Sequence, residues 1–130
     1  MREFTTKFGE NAGKIWSILE KKGCLKDEEL LEITKMSDND FHSGVGWLAR
    51  ENKIAEVENS CYELKETNLE IKIGSHAGRI WKILDIWGDV DYDSIKRLSD
   101  LKDEQIHAAL GWLARENKII LDEKKRFNLK

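Results

Sequence analysis

Asp38 and His42 stand four residues apart, and Asp103 and His107 repeat that spacing. On a helix the spacing brings a carboxylate and an imidazole to one face. Such a couple can respond to pH or supply half of a metal site. Two ligands do not complete a tetrahedral zinc site, so a helix-stabilising pair is the simplest role for each. Cys24 and Cys61 lack CxxC spacing and read as reduced, partly buried thiols. No P-loop, HExxH pattern or Ser/His/Asp constellation occurs. The expectation is a protein that is not an enzyme and needs neither metal nor cofactor.

A second kind of chemistry is contact with nucleic acid. Lys124-Lys125-Arg126 is the most basic run, with Lys130 just beyond it. Basic side chains at a hairpin tip can lie on phosphate; a solvated tip is the equally simple alternative. Overall charge gives little support, since the formal net charge is -3. Residues 1–65 hold 10 Lys and Arg against 13 Asp and Glu, and residues 66–130 hold 12 against 12. A dedicated nucleic-acid binder usually carries a basic excess.

These residues are positioned by an internal duplication. Ala12-Gly13-Lys14-Ile15-Trp16-Ser17-Ile18-Leu19 answers Ala77-Gly78-Arg79-Ile80-Trp81-Lys82-Ile83-Leu84, 65 residues later. Gly46-Trp47-Leu48-Ala49-Arg50-Glu51-Asn52-Lys53-Ile54 recurs letter for letter from Gly111 to Ile119. About 23 of 59 aligned positions are identical without an insertion. Two domains follow, 1–65 and 66–130. A copy of that size buries only about 60% of its unfolded surface and is marginal alone. The joining segment is short and not Gly/Ser-rich, so the copies should pack together as an intramolecular pseudo-dimer.

Each copy has the same predicted elements. A helix over about Asn11–Lys22 gathers Ala12, Ile15, Trp16, Ile18 and Leu19 on one stripe. Gly23 and Gly88 stand where a helix-ending left-handed residue is wanted. A short strand and a short helix over about Asp27–Ile33 follow, with Leu30 and Ile33, or Ile95 and Leu98, facing the core. After a tight turn, a third helix continues to about Glu51, its inward stripe Phe41, Val45 and Leu48 answered by Ile106, Leu110 and Leu113. Ser37 and Asp40 suggest a capping box; Lys102 in place of Ser37 predicts a less clean start in the second copy. Gly46 and Gly111 sit mid-helix, which suggests a close contact, with Trp16 or Trp81 as the nearest candidates. Two strands close a hairpin. The fold class is mainly α with small β-hairpin wings: tandem winged helix-turn-helix domains.

The Gly9–Trp16 run and the Gly46–Ile54 block together resemble a small family of prokaryotic winged helix-turn-helix domains of unknown function. Its members usually carry one such domain, and the likeness covers nearly all of this chain. The resemblance implies the fold and a loose link to transcription or DNA binding.

In a typical winged helix the start of the third helix meets bases and phosphates. Here those positions are Asp38, Asn39, Asp40, His42 and Ser43, then Lys102, Asp103, Glu104, Gln105, His107 and Ala108. The candidate nucleic-acid contacts are Asn39, Ser43, Lys102, Gln105, Lys124, Lys125 and Arg126. The acids among their neighbours repel phosphate and suit a solvated helix start. Trp47 and Trp112, on the flank of the inward stripe, either complete their own cores or seal one copy to the other.

Fold frequency puts a DNA-binding or transcription-associated protein with duplex DNA as partner slightly first; the alternative, which the charges fit better, is an adaptor that binds a protein partner and no nucleic acid. No apolar run approaches the roughly 18 residues of a membrane span, and the start of the chain has no secretory pattern. The expected address is the cytoplasm.

Overall fold

The computed structural model describes residues 4–130; Met1–Glu3, part of the stretch read for a leader, lie outside them. The first copy runs α1 (Phe4–Lys22), β1 (Leu25–Lys26), α2 (Asp27–Thr34), α3 (Asp38–Arg50), β2 (Ile54–Val57), a 3-10 turn (Glu58–Ser60) and β3 (Cys61–Leu64). The second runs α4 (Glu70–Trp87), β4 (Val90–Asp91), α5 (Tyr92–Ser99), α6 (Asp103–Arg115), β5 (Ile119–Leu121) and β6 (Arg126–Leu129). Each sheet is antiparallel and three-stranded, ordered β1-β3-β2 and β4-β6-β5.

Local signals account for most boundaries. Gly23 takes φ 79° and its N–H closes on the Leu19 carbonyl, which ends α1. Asn52 and Asn117 adopt left-handed φ just after α3 and α6, a conformation that Asn tolerates. The Ser37 hydroxyl accepts from the Asp40 N–H and caps α3. Helix α6 lacks the N-cap side-chain bond of α3, as expected, yet starts at the equivalent residue. Gln105 Oε1 accepts from the Lys102 N–H at 3.0 Å, and α6 has 13 residues, as α3 does. This bond is the other half of a capping box: it satisfies the Lys102 N–H, while Lys102 has no side-chain oxygen to accept from the Gln105 N–H as Ser37 does from Asp40.

Helix α1 begins at least seven residues before the expected start, because Phe4 and Phe8 continue its apolar stripe backward. That extension does not serve its own copy. Phe8 is buried in the core of the second copy with Ile80, Ile95, Ile106 and Leu110. Its counterpart Ile73, with Leu69, is buried in the first core beside Ile15, Leu30, Phe41 and Leu48. The two cores are therefore completed by exchanged helix starts. Trp47 and Trp112, both half-buried, pack against both cores.

Three further expectations need correction. Trp16 and Trp81 are 39% and 37% exposed, so they flank the inward stripe rather than belong to it. Ile33 and Leu98 also lie at the surface, while Leu30 in one short helix, and Ile95 with Ser99 in the other, carry the buried face. The neighbour of Gly46 is not a tryptophan: its open side abuts the Ala108 main chain, and Gly111 abuts Ser43.

Candidate functional site

The glycine contacts define how the third helices meet. Ser43 faces Gly111, Gly46 faces Ala108, and Arg50 Nε donates to Glu116 Oε2 at 2.9 Å. Starts thus meet starts and ends meet ends, so α3 and α6 run side by side in the same direction. Each contact has a mate under exchange of the copies. Arg115 Nε donates to Glu51 Oε2 at 3.0 Å, mirroring Arg50 and Glu116. The Arg50 guanidinium lies 5.7 Å from the Trp112 ring, and that of Arg115 lies 5.8 Å from Trp47. Reciprocal pairs are the mark of a twofold interface. Backbone contact places the axes near the close end of helix packing, about 8 Å.

One shallow depression is lined by both helix starts: Asp38, Asn39 and His42 with Lys102, Asp103 and Glu104, plus Asp27. The paired Asp and His residues do not join through their side chains as expected. His42 Nδ1 donates to the Asp38 carbonyl at 2.8 Å, and His107 Nδ1 to the Asp103 carbonyl at 2.9 Å. That leaves His42 Nε2 facing Glu104 Oε2 across the copies at 3.6 Å. The Asp103 carboxylate is taken instead by the Tyr92 hydroxyl at 2.6 Å and Lys96 Nζ at 3.1 Å. These bonds, Tyr92 first, hold Asp103 below the usual carboxylate range. Burial holds His107 below the usual histidine range against the pull of Asp103. Among the described residues no group of three or more His, Cys, Asp or Glu could hold a metal ion.

The structure divides the candidate nucleic-acid contacts. Asn39 and Lys102 are exposed beside the depression, whereas Gln105 is half-buried with its carbonyl oxygen committed to the α6 cap. Ser43 cannot reach a ligand. It is fully buried between the copies, donating to the Asp40 carbonyl and accepting from Asn11 Nδ2. Ala108 is buried in the same seam. Lys124 and Lys125 are exposed at the second hairpin tip, next to Asp122 and Glu123. Arg126 lies in β6, not in the tip. Its guanidinium is held by the Asp89 carboxylate at 3.1 Å and the Asp89 carbonyl at 2.8 Å. The basic run of three thus contributes two exposed lysines and a partly exposed arginine tied to Asp89.

A surface that sequence reasoning did not single out lies between α1 and the end of α3. Gly9, Ala12, Gly13, Trp16, Trp47, Leu48, Glu51 and Lys53 line a groove of about 280 Å³. All eight recur at the equivalent positions, as Gly74, Ala77, Gly78, Trp81, Trp112, Leu113, Glu116 and Lys118. Some of these identities have an internal reason: Gly9 and Gly74 let the indoles of Trp47 and Trp112 lie against the helix. Gly13 and Gly78 have none. They are helical, exposed and face open space, although a helical Gly costs about 1 kcal/mol relative to Ala. The signal was present in the two blocks of identity, where exposed positions repeat as faithfully as buried ones.

Fold and surfaces together define a tandem winged helix-turn-helix protein. The chain belongs to the family described as winged helix-turn-helix domain (DUF2582), whose model matches residues 1–64 and again 64–128. It is also similar to the uncharacterized protein MJ1608 of Methanocaldococcus jannaschii, 39% identical over 56 residues. That match spans 42% of this chain and 80% of the relative, which therefore has room for a single copy. No solved structure matches the chain significantly. Among the described residues no helix is long and apolar enough to cross a membrane.

Proposed function

We propose that the chain is a non-enzymatic protein-interaction module and does not read duplex DNA with its third helices. The supporting observation is the parallel, backbone-to-backbone packing of α3 on α6 at Gly46 and Gly111. A dimeric helix-turn-helix protein places its recognition helices about 34 Å apart to enter successive major grooves. Helices in contact cannot do this, and their flanks are spent on each other. What they leave open is acidic: Asp27, Asp38, Asp103 and Glu104 stand against Lys102. Carboxylates there repel phosphate. The tryptophan-floored groove of the first copy, whose eight lining residues recur in the second, is the surface for a partner protein, since exposed aromatics beside open backbone favour binding of another chain.

In this reading the chain is monomeric, and its copies stand in for two chains of a single-copy relative. Wild-type protein and a Trp16→Ala/Trp81→Ala variant, used as bait in native lysate, provide the test. A stoichiometric partner kept by the wild type and lost by the folded variant supports the proposal. Duplex DNA binding with a steep salt dependence overturns it. Such binding would favour the second reading, phosphate contact through Lys102, Lys124 and Lys125, which are exposed.

A further inference from the structure

Positions 24 and 61 of the first copy correspond to positions 89 and 126 of the second. In the second copy these are Asp89 and Arg126, joined by an ion pair of 3.1 Å. That pair ties the segment before β4 to β6, which are neighbours in the sheet. In the first copy the same two places hold Cys24 and Cys61, both free thiols. Lys26 pairs with Cys61 across the ladder and Leu25 pairs with Tyr62. Continuing that register by one residue puts Cys24 on the same sheet face as Cys61, as its diagonal neighbour. Cys61 is among the groups near enough to raise the Cys24 pKa. Cys24 is exposed and Cys61 half-buried, so a small reagent meets Cys24 first.

We propose that Cys24 and Cys61 are an oxidisable dithiol that closes to an intramolecular disulfide, a covalent counterpart of the Asp89–Arg126 ion pair. The co-reactant is a small-molecule disulfide. The Cys24 thiolate attacks one of its sulfurs, breaks the S–S bond and expels one small thiolate. The Cys61 thiolate then attacks the Cys24 sulfur of the mixed disulfide and expels the second. The protein dithiol loses two electrons, the small disulfide gains them, and the two protein protons leave on the two released thiols. The new bond encloses α2, α3 and β2 in one covalent loop, which restricts the unfolded chain.

The surroundings set the rate. Partial desolvation first, then Cys61 and the carboxylates of Glu63 on β3 and Glu29 on α2, push the Cys24 thiol up to about 11. Lys26 is the cation opposite Cys61 in the ladder. Thiolate is scarce near neutrality, so exchange accelerates as pH rises.

The experiment treats the whole chain with oxidised glutathione at about pH 9, where more thiolate is available. Intact mass and iodoacetamide labelling are then read against the Cys61→Ser variant. The expected product is a monomer lighter by two hydrogens that takes no label. Its unfolding midpoint should be higher by about 5–15 °C, and a dithiol reductant should reverse the change. Cys61→Ser should stop at a glutathione adduct on Cys24. A persistent adduct on the wild type, or a disulfide-linked dimer in place of the internal bond, overturns the proposal.

Discussion

Gly46 lies against the main chain of Ala108, and a methyl group on its Cα would overlap the Ala108 carbonyl oxygen. Gly111 stands to Ser43 in the same way. Relief would require moving helix backbone, so Gly46→Ala and Gly111→Ala should each destabilise the fold by about 1–3 kcal/mol. Gly13→Ala and Gly78→Ala face open space. They should instead stabilise by about 0.5–1 kcal/mol through helix propensity. Urea unfolding of the four variants checks the opposite signs; a shared sign would contradict the assigned contacts.

The exchanged helix starts make the copies one cooperative unit. Phe8 belongs to the second core although it stands in the first copy. Phe8→Ala should cost about 3–5 kcal/mol, the range for deleting a buried aromatic ring. The whole unfolding transition should shift rather than split. Calorimetry should show one transition for wild type and variant alike. Two separated transitions, only one of them moved, would mean that the copies fold independently.

The reciprocal ion pairs at the helix ends should contribute modestly. The Glu116 and Glu51 side chains are only 15% and 19% exposed, while their arginine partners are 45% and 46% exposed. Allowing for solvent screening of the arginines, Glu116→Gln or Glu51→Gln should each cost about 0.5–1.5 kcal/mol. A double-mutant cycle between Arg50 and Glu116 should show coupling that shrinks at high salt.

Acid should weaken the fold in two stages. His107 is held down by burial; His76 is held down by burial first, then by Arg79 and Lys72. Between their lowered values and the ordinary 6.5, the unfolded chain binds more protons. Stability therefore falls as pH drops through that window, and His107→Gln should flatten the slope. Asp103, lowered from 3.8 chiefly by Tyr92, adds stability above its ordinary value. That contribution is lost as pH falls through the lowered one. Urea midpoints measured from neutral to acid pH test both signs.

The duplication, the hairpins and the buried stripes of α3 and α6 were legible because they rest on local periodicity and on blocks of identity. Phe4 and Phe8 carry the spacing of a longer α1, but Thr5, Thr6 and Gly9 are poor helix formers. What those phenylalanines cover lies in the second copy, between Ala77 and Phe127, and no local pattern reports that. Ser43 looked like a surface residue by type; its burial depends on a bond to Asn11 and on the neighbouring Gly111. Gly46 did announce a close contact, but the partner belonged to the other copy. At the candidate site, acidity was plain from the letters, while the commitments of Arg126 and Gln105 emerged only in three dimensions.

The central claim is that the third helices lie together and in parallel rather than apart. Asn39 and Glu104 are equivalent exposed positions at the two helix starts. Spin labels at Asn39→Cys and Glu104→Cys, with Cys24 and Cys61 replaced by Ser, measure their separation directly in solution by pulsed electron resonance. Helices packed at an interaxial distance of about 8 Å predict one narrow distribution centred below about 25 Å, label arms included. A distribution near the 34 Å or so that separates successive major grooves would contradict the account.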